Sequence, residues 1–181
     1  MSRWLFALLL VGLLGACAGR PHRDAATLPP LQLSPASLGA PLSLQQQLTF
    51  RFGRVERRMD ALLEADATQV QLLVQAMGQT GFRVQWDGAQ LQEQRAAWLP
   101  RQVRAERVLD DLQFALWPTD AIAAALVDGW QVRDDGYVRR LQRDGVDALR
   151  LQRNGDGSLQ LDNLIEGYAL TIRSVQSGEA P

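Results

Sequence analysis

Few side chains in this sequence are of a type that does chemistry. The 181 residues include a single Cys, Cys17, and a single His, His22. Thiolates are strong nucleophiles. Cys17 closes the stretch Leu14-Gly15-Ala16-Cys17, which reads as a lipobox: small residues open the backbone to a signal peptidase, and the thiol is the group suited to take a diacylglyceryl chain. The spacing predicts a thioether lipid on Cys17. One Cys and one His exclude a disulfide scaffold, a Cys/His zinc cage and a Ser-His pair within the folded part. There is no Gly-x-Ser-x-Gly elbow. Asp110-Asp111 and Asp134-Asp135 are adjacent carboxylates, but neighbours on a helix point apart and the second pair abuts a turn, so neither reads as an acid/base dyad. Arg101, Arg104 and Arg107 are spaced to meet phosphates, yet Glu106, Asp110 and Asp111 offer local partners, and the expectation is a solvated face. Asn154-Gly155-Asp156-Gly157 hints at a calcium loop, but Gln152 and Asn163 stand where carboxylates belong, so a turn is expected. The residues predict no enzyme, no cofactor and no metal.

Composition points the same way. The chain is 46% hydrophobic and 22% charged, with 19 basic residues, all Arg, against 20 acidic ones. That balance excludes a nucleic-acid binder working by bulk charge. Residues 1–16 read as a signal peptide, because the apolar run Trp4–Leu14 follows Arg3 and is too short to span a bilayer. Residues 17–41 read as a tether beginning at the lipidated Cys, with Pro21, Pro29, Pro30, Pro35 and Pro41 opposing both helix and sheet; His22 is a loop residue there. Residues 42–176 read as the folded domain and 177–181 as a flexible tail. No later apolar run reaches spanning length.

The elements follow from periodicity. Leu44, Leu48, Phe50 and Phe52 share one parity, and Val55, Met59, Ala61 and Leu63 continue a weaker alternation. Val70, Leu72 and Val74, then Phe82, Val84 and Trp86, predict two strands joined as a hairpin by Ala76-Met77-Gly78-Gln79. Asp-Gly at 87–88, 128–129, 135–136, 144–145 and 156–157 suits the positive φ of tight turns, so residues 130–133, 137–143, 146–153, 158–162 and 167–175 read as a meander. Between the β regions, Ala105, Val108, Leu109, Leu112, Ala115 and Leu116 keep helical spacing, with Arg104, Glu106, Arg107, Asp110 and Asp111 expected outside. Pro118 stops that helix, and Thr119 is the expected N-cap of a second one running through Leu126. The fold class is mainly β (α+β): an unclosed antiparallel barrel or curved sheet covered by a short helical hairpin.

The order of lipobox, proline-rich tether, antiparallel strands, Gln75-Ala76-Met77-Gly78, the helix ending Leu112-Gln113-Phe114-Ala115-Leu116-Trp117-Pro118, and a final Leu161-Asp162-Asn163 through Gly167-Tyr168-Ala169-Leu170-Thr171-Ile172 resembles an uncharacterised family of proteobacterial outer-membrane lipoproteins. That family is similar in layout to LolB, the outer-membrane receptor for lipoproteins. The resemblance covers about residues 42 to 175. It implies a LolA/LolB-like half-barrel whose concave face holds acyl chains, with lipid or lipoprotein as cargo and a LolA-like periplasmic carrier as partner. It also implies a link to aryl-polyene lipid synthesis. Ala18 and Gly19, with no Asp after the Cys, imply export to the outer membrane, facing the periplasm, and a monomer held there by its acyl chains.

On this reading Phe50, Phe52, Val55, Leu72, Val74, Phe82, Val84 and Trp86 line an acyl pocket, lidded by Leu109, Leu112 and Leu116; the same side chains would also serve as a filled core. Met77, at a hairpin tip, is the expected membrane contact. Trp98, Trp117 and Trp130 are expected in the core or at its rim. The alternative is a structural or adaptor lipoprotein of an envelope complex with a filled core and no ligand.

Overall fold

The computed structural model describes residues 27–99 and 103–176. Ten strands form one sheet: β1 (Leu42–Phe52), β2 (Val55–Ala65), β3 (Val70–Ala76), β4 (Gln79–Trp86), β5 (Leu91–Arg95), β6 (Trp130–Asp134), β7 (Val138–Arg143), β8 (Val146–Arg153), β9 (Leu159–Asn163) and β10 (Tyr168–Gln176). All pairings are antiparallel, and the order is β5-β4-β3-β2-β1-β10-β9-β8-β7-β6. Two five-strand meanders are thus joined where the first strand meets the last. The edges β5 and β6 do not pair, so the sheet is open. Helices α1 (Ala105–Leu116) and α2 (Thr119–Ala125) connect those edges, α1 touching β5 and α2 touching β6.

Ten strands laid flat would span about 45 Å, far more than two short helices cover. One continuous apolar cluster nevertheless runs from Phe82 and Trp86 on β4 to Leu141 on β7 and Trp130 on β6, so the sheet curls around α1. The meander and hairpin boundaries match the periodicity to within a residue or two. β5 has no such signal, because Leu91 is its single apolar residue and Gln92, Glu93, Gln94 and Arg95 guard the open edge instead.

Three expectations are corrected. The first is the last part of the tether, which is no flexible coil. Leu28, Leu31, Leu33 and Pro35 are buried, and the segment lies along α1 as a strap. The Leu31 amide donates to Asp110 Oδ1 at 2.8 Å and the Leu33 amide to Gln113 Oε1 at 2.9 Å. The Leu33 carbonyl accepts from Gln113 Nε2 and from Trp86 Nε1, both at 2.8 Å. Prolines forbid regular structure, yet an extended segment with alternate leucines buries apolar area when side chains satisfy its backbone.

The second concerns α1: Arg104 and Glu106 at its start are exposed as the spacing expects, but the rest of its polar side does not face water. Arg107, Asp110 and Asp111 are buried with Gln113, because the strap and β10 cover the side that amphipathic spacing assigns to solvent. The ridge Val108, Leu112 and Leu116 is only half-buried. The third concerns Thr119, which is the first residue of α2 and not its cap. Pro118 takes the cap position, and the Thr119 hydroxyl meets Asp134 Oδ2 at 3.4 Å.

Candidate functional site

The two faces and the two ends of the sheet define where function can reside. On the inner face Leu72, Val74, Phe82, Val84, Trp86 and Leu109 are all buried together. Phe50, Leu112 and Leu116 are half-buried beside them. Phe52 and Val55 do not join the lining: they are 51% and 47% exposed. The reason is length. Strands of eleven residues reach about 37 Å, whereas the twelve residues of α1 reach about 18 Å, so the β1–β2 hairpin overhangs its cover and residues 51–58 stand in water. The covered part of the inner face is tightly filled. Trp117, Phe114, Leu151 and Leu161 have no measurable exposure. Two grooves among the described residues lie off this face: one of about 550 Å³, where Gln45, Gln47 and Asp60 stand beside Leu62, Leu73 and Val175, and one of about 240 Å³ beside Ser43, Glu64 and Gln71.

Two buried polar clusters tie the helices to this face, and sequence periodicity signalled neither. In the first, Arg139 enters from β7. Its Nη1 donates to the carbonyls of Phe114 (2.7 Å) and Trp117 (2.8 Å), its Nε to Asp134 Oδ2 (2.7 Å), and its Nη2 to the Thr119 hydroxyl (3.2 Å). A cation there satisfies orphan carbonyls at the end of α1 and complements its dipole. Burial alone would raise the Asp134 carboxyl, but bonds from Arg153 and Arg139 and from the Gly136 amide outweigh it and hold the group far below the ordinary range.

The second cluster joins α1, β10 and the strap. Arg107 donates to Asp110, and Tyr168 Oη donates to Asp111. Burial pushes the Asp111 carboxyl up to about 7 against the pull of Tyr168 and Arg107, and it raises Asp110 and Tyr168 as well. Arg107 stays charged because Asp110 and Asp111 outweigh its desolvation. Arg104 pairs with Glu166 at 2.8 Å, so neither of the described arginines of the 101–107 series faces phosphate alone. Arg107 Nη1 and Asp111 Oδ1 have no protein partner. Both pairs of neighbouring carboxylates are engaged by cations or hydrogen-bond donors, and no group of His, Cys, Asp and Glu able to hold a metal occurs among the described residues.

Met77 stands where the spacing placed it, at the β3–β4 turn, with 97% of its surface in water and φ of 51°. Trp117 and Trp130 are core residues, while Trp98 is half-exposed. It lies so close over Gly81 that a Cβ there would sit 2.8 Å from its ring. Cys17, His22, the signal segment and residues 177–181 lie outside the described residues. No helix among the described residues is long and apolar enough to cross a membrane.

The molecule is therefore of the mainly β class: an open ten-stranded antiparallel sheet wrapped over two short helices and a strap. A family model described as a protein of unknown function, DUF3261, matches residues 43–176, and the chain belongs to that family. No curated protein matches the chain.

Proposed function

We propose that this protein is a lipoprotein of the bacterial outer membrane, anchored through Cys17 and facing the periplasm, that accepts a lipid or the acyl chain of a lipoprotein on the inner face of its half-barrel, in the manner of LolB and from a LolA-like carrier. It is not an enzyme and takes no cofactor. The observation that supports this reading is an open sheet whose inner face is apolar from β4 across to β7, combined with a plug of irregular chain: Leu28, Leu31 and Leu33 of the strap are buried without belonging to any strand. An acyl chain that displaces such a plug exchanges one apolar filling for another, at about 0.8 kcal/mol per CH₂.

The second reading, an adaptor with a filled core, is favoured by the inner face itself, where Phe114 and Trp117 leave no exposed surface. Native mass spectrometry separates the two: co-purified lipid supports the carrier, and a clean apo mass with a stable protein partner supports the adaptor. A fluorescent fatty acid should bind the wild type and bind more tightly to Leu33→Ser, whose strap is loosened. A wild type that takes no acyl probe, even after the strap is loosened, overturns the carrier reading.

A further inference from the structure

The register of the sheet sorts its turns into two ends. At one end lie the connections Phe52 to Val55, Ala76 to Gln79, Arg143 to Val146 and Asn163 to Tyr168. The segments after β5 and before β6 reach the same end, because the Ala96 amide bonds the Gly81 carbonyl and the Asp144 amide bonds the Gly129 carbonyl. Eleven large apolar side chains are exposed among the described residues, and eight of them are at this end. Phe52, Val55, Met77, Val146, Leu164 and Ile165 belong to the hairpin turns; Trp98 and Val127 belong to the two connecting segments.

We propose that this end is a docking face for the surface of an anionic lipid bilayer, and that it acts whether or not the interior takes an acyl chain. Three observations favour lipid as the occupant, the second of them resting on the lipidated Cys17 proposed above. The first is charge. Around Phe52 and Val55 the chain carries Arg51, Arg54, Arg57 and Arg58 against Glu56 alone, an excess of three positive charges on the overhanging hairpin. Of the acidic groups elsewhere at this end, Glu166 is paired with Arg104, Asp144 lies 4.0 Å from Arg143, and Asp128, beside Val127, is exposed, which leaves the positive excess concentrated on the β1–β2 hairpin. Apolar tips flanked by arginines match an acyl region beneath anionic headgroups.

The second is where the chain leaves. The strap runs parallel to α1, with Leu31 beside Asp110, Leu33 beside Gln113 and Ser34 beside Trp117, so it enters from this end and departs toward the other, where Pro35 meets Gly88. Cys17 is ten residues from Thr27, a separation of at most about 36 Å. The lipid proposed at Cys17 is thus tied to the chain at this end, about one strand length nearer than to the opposite end.

The third is the choice of residue at the tightest turn. Met77 and Gly78 both have positive φ, 51° and 73°, as Asp144 and Gly145 do at the matching turn with 51° and 79°. That geometry favours Asn or Asp at the first position. Met gains nothing for the fold there while leaving its side chain in water, whereas a bilayer gives it a partner.

The test uses residues 18–181, the chain that follows the proposed lipid site, without its lipid, with vesicles of phosphatidylglycerol and phosphatidylethanolamine against phosphatidylethanolamine and phosphatidylcholine. Co-sedimentation should be stronger with the anionic vesicles and weaken as salt rises. Arg54→Glu with Arg57→Glu should reduce anionic binding at least about twenty-fold, and Met77→Glu about five-fold, with unchanged circular dichroism. Tyr137→Ser, at the opposite end, should bind like the wild type. Brominated lipid should quench tryptophan emission in the wild type and not in Trp98→Phe. Absence of anionic binding, equal loss in Tyr137→Ser, or self-association abolished by Met77→Glu without vesicle binding would each overturn the proposal, the last by showing that a second copy covers this end.

Discussion

The two ends of the sheet share one hairpin topology and differ in what their turns do for the fold. At the end opposite the apolar tips, the turns are headed by acidic residues whose side chains close them. Asp66 Oδ1 accepts from the Thr68 and Gln69 amides, Asp87 Oδ1 from Ala89 and Gln90, Asp135 Oδ1 from Tyr137 and Val138, and Asp156 Oδ1 from Ser158. Each of these carboxyls is held below its ordinary range by those donors: the Thr68 hydroxyl first for Asp66, the Gln90 amide for Asp87, the Val138 amide for Asp135 and the Ser158 hydroxyl for Asp156. Asp134 and Arg139, which fasten the helices, lie at the same end. The other end carries exposed Phe52, Met77 and Leu164 in comparable positions. One end closes its turns with acidic side chains; at the other, Asn163 Oδ1 closes the β9–β10 turn by accepting from the Ile165 and Glu166 amides, while the tips around it leave apolar side chains in water.

That contrast predicts a gradient of effects. The largest belongs to Asp134→Ala, which strands the buried Arg139 guanidinium and releases Arg153. Stability should fall by about 3–5 kcal/mol in urea unfolding, with Arg139→Ala similar and the double variant no worse than either alone. Additive losses would mean that the pair does not act as one unit.

The next effect sits midway, at the Asp111–Tyr168 contact between α1 and the overhanging hairpin's neighbour β10. The folded state holds the Asp111 proton up to about pH 7, while the unfolded chain releases it near the ordinary 3.8. Between those values the folded form binds more protons, so stability falls as pH rises through that window. The thermal midpoint should therefore drop from acidic to neutral pH, and Asp111→Asn should flatten the slope. A slope unchanged in Asp111→Asn would place the titration elsewhere, Asp110 being the first alternative because burial raises it too.

A smaller effect is expected at a single Asp-headed turn. Asp87→Ala removes the acceptor for two amides and should lower the midpoint by a few degrees. The smallest is at the apolar end: Met77→Glu should leave stability within about 0.5 kcal/mol of wild type, and Met77→Asn should raise it slightly, because Asn suits the positive φ. A Met77→Glu protein as damaged as Asp87→Ala would erase the distinction between the ends.

What could be read from the residues followed a physical rule of range. Period-two runs and Asp-Gly pairs are local, and they located nine of the ten strands and both helices, since turn chemistry and one-sided burial act within a few residues. Met77 at a two-residue turn was legible for the same reason. β5 was not, because an edge strand guarded by Gln92, Glu93 and Gln94 has no apolar face to show. The burial of Arg107, Asp110 and Asp111 was invisible because the groups that cover and satisfy them, the Leu31 amide and the Tyr168 hydroxyl, lie 79 and 57 residues away from their acceptors. The same holds for Phe52 and Val55: strand periodicity assigned them a face, and only the short reach of α1 beside a longer hairpin left that face uncovered. The sequence by itself determined which residues share a side of each element. The tertiary structure alone decided which sides are covered and which end of the molecule is left apolar, because covering depends on lengths and docking between segments far apart in the chain.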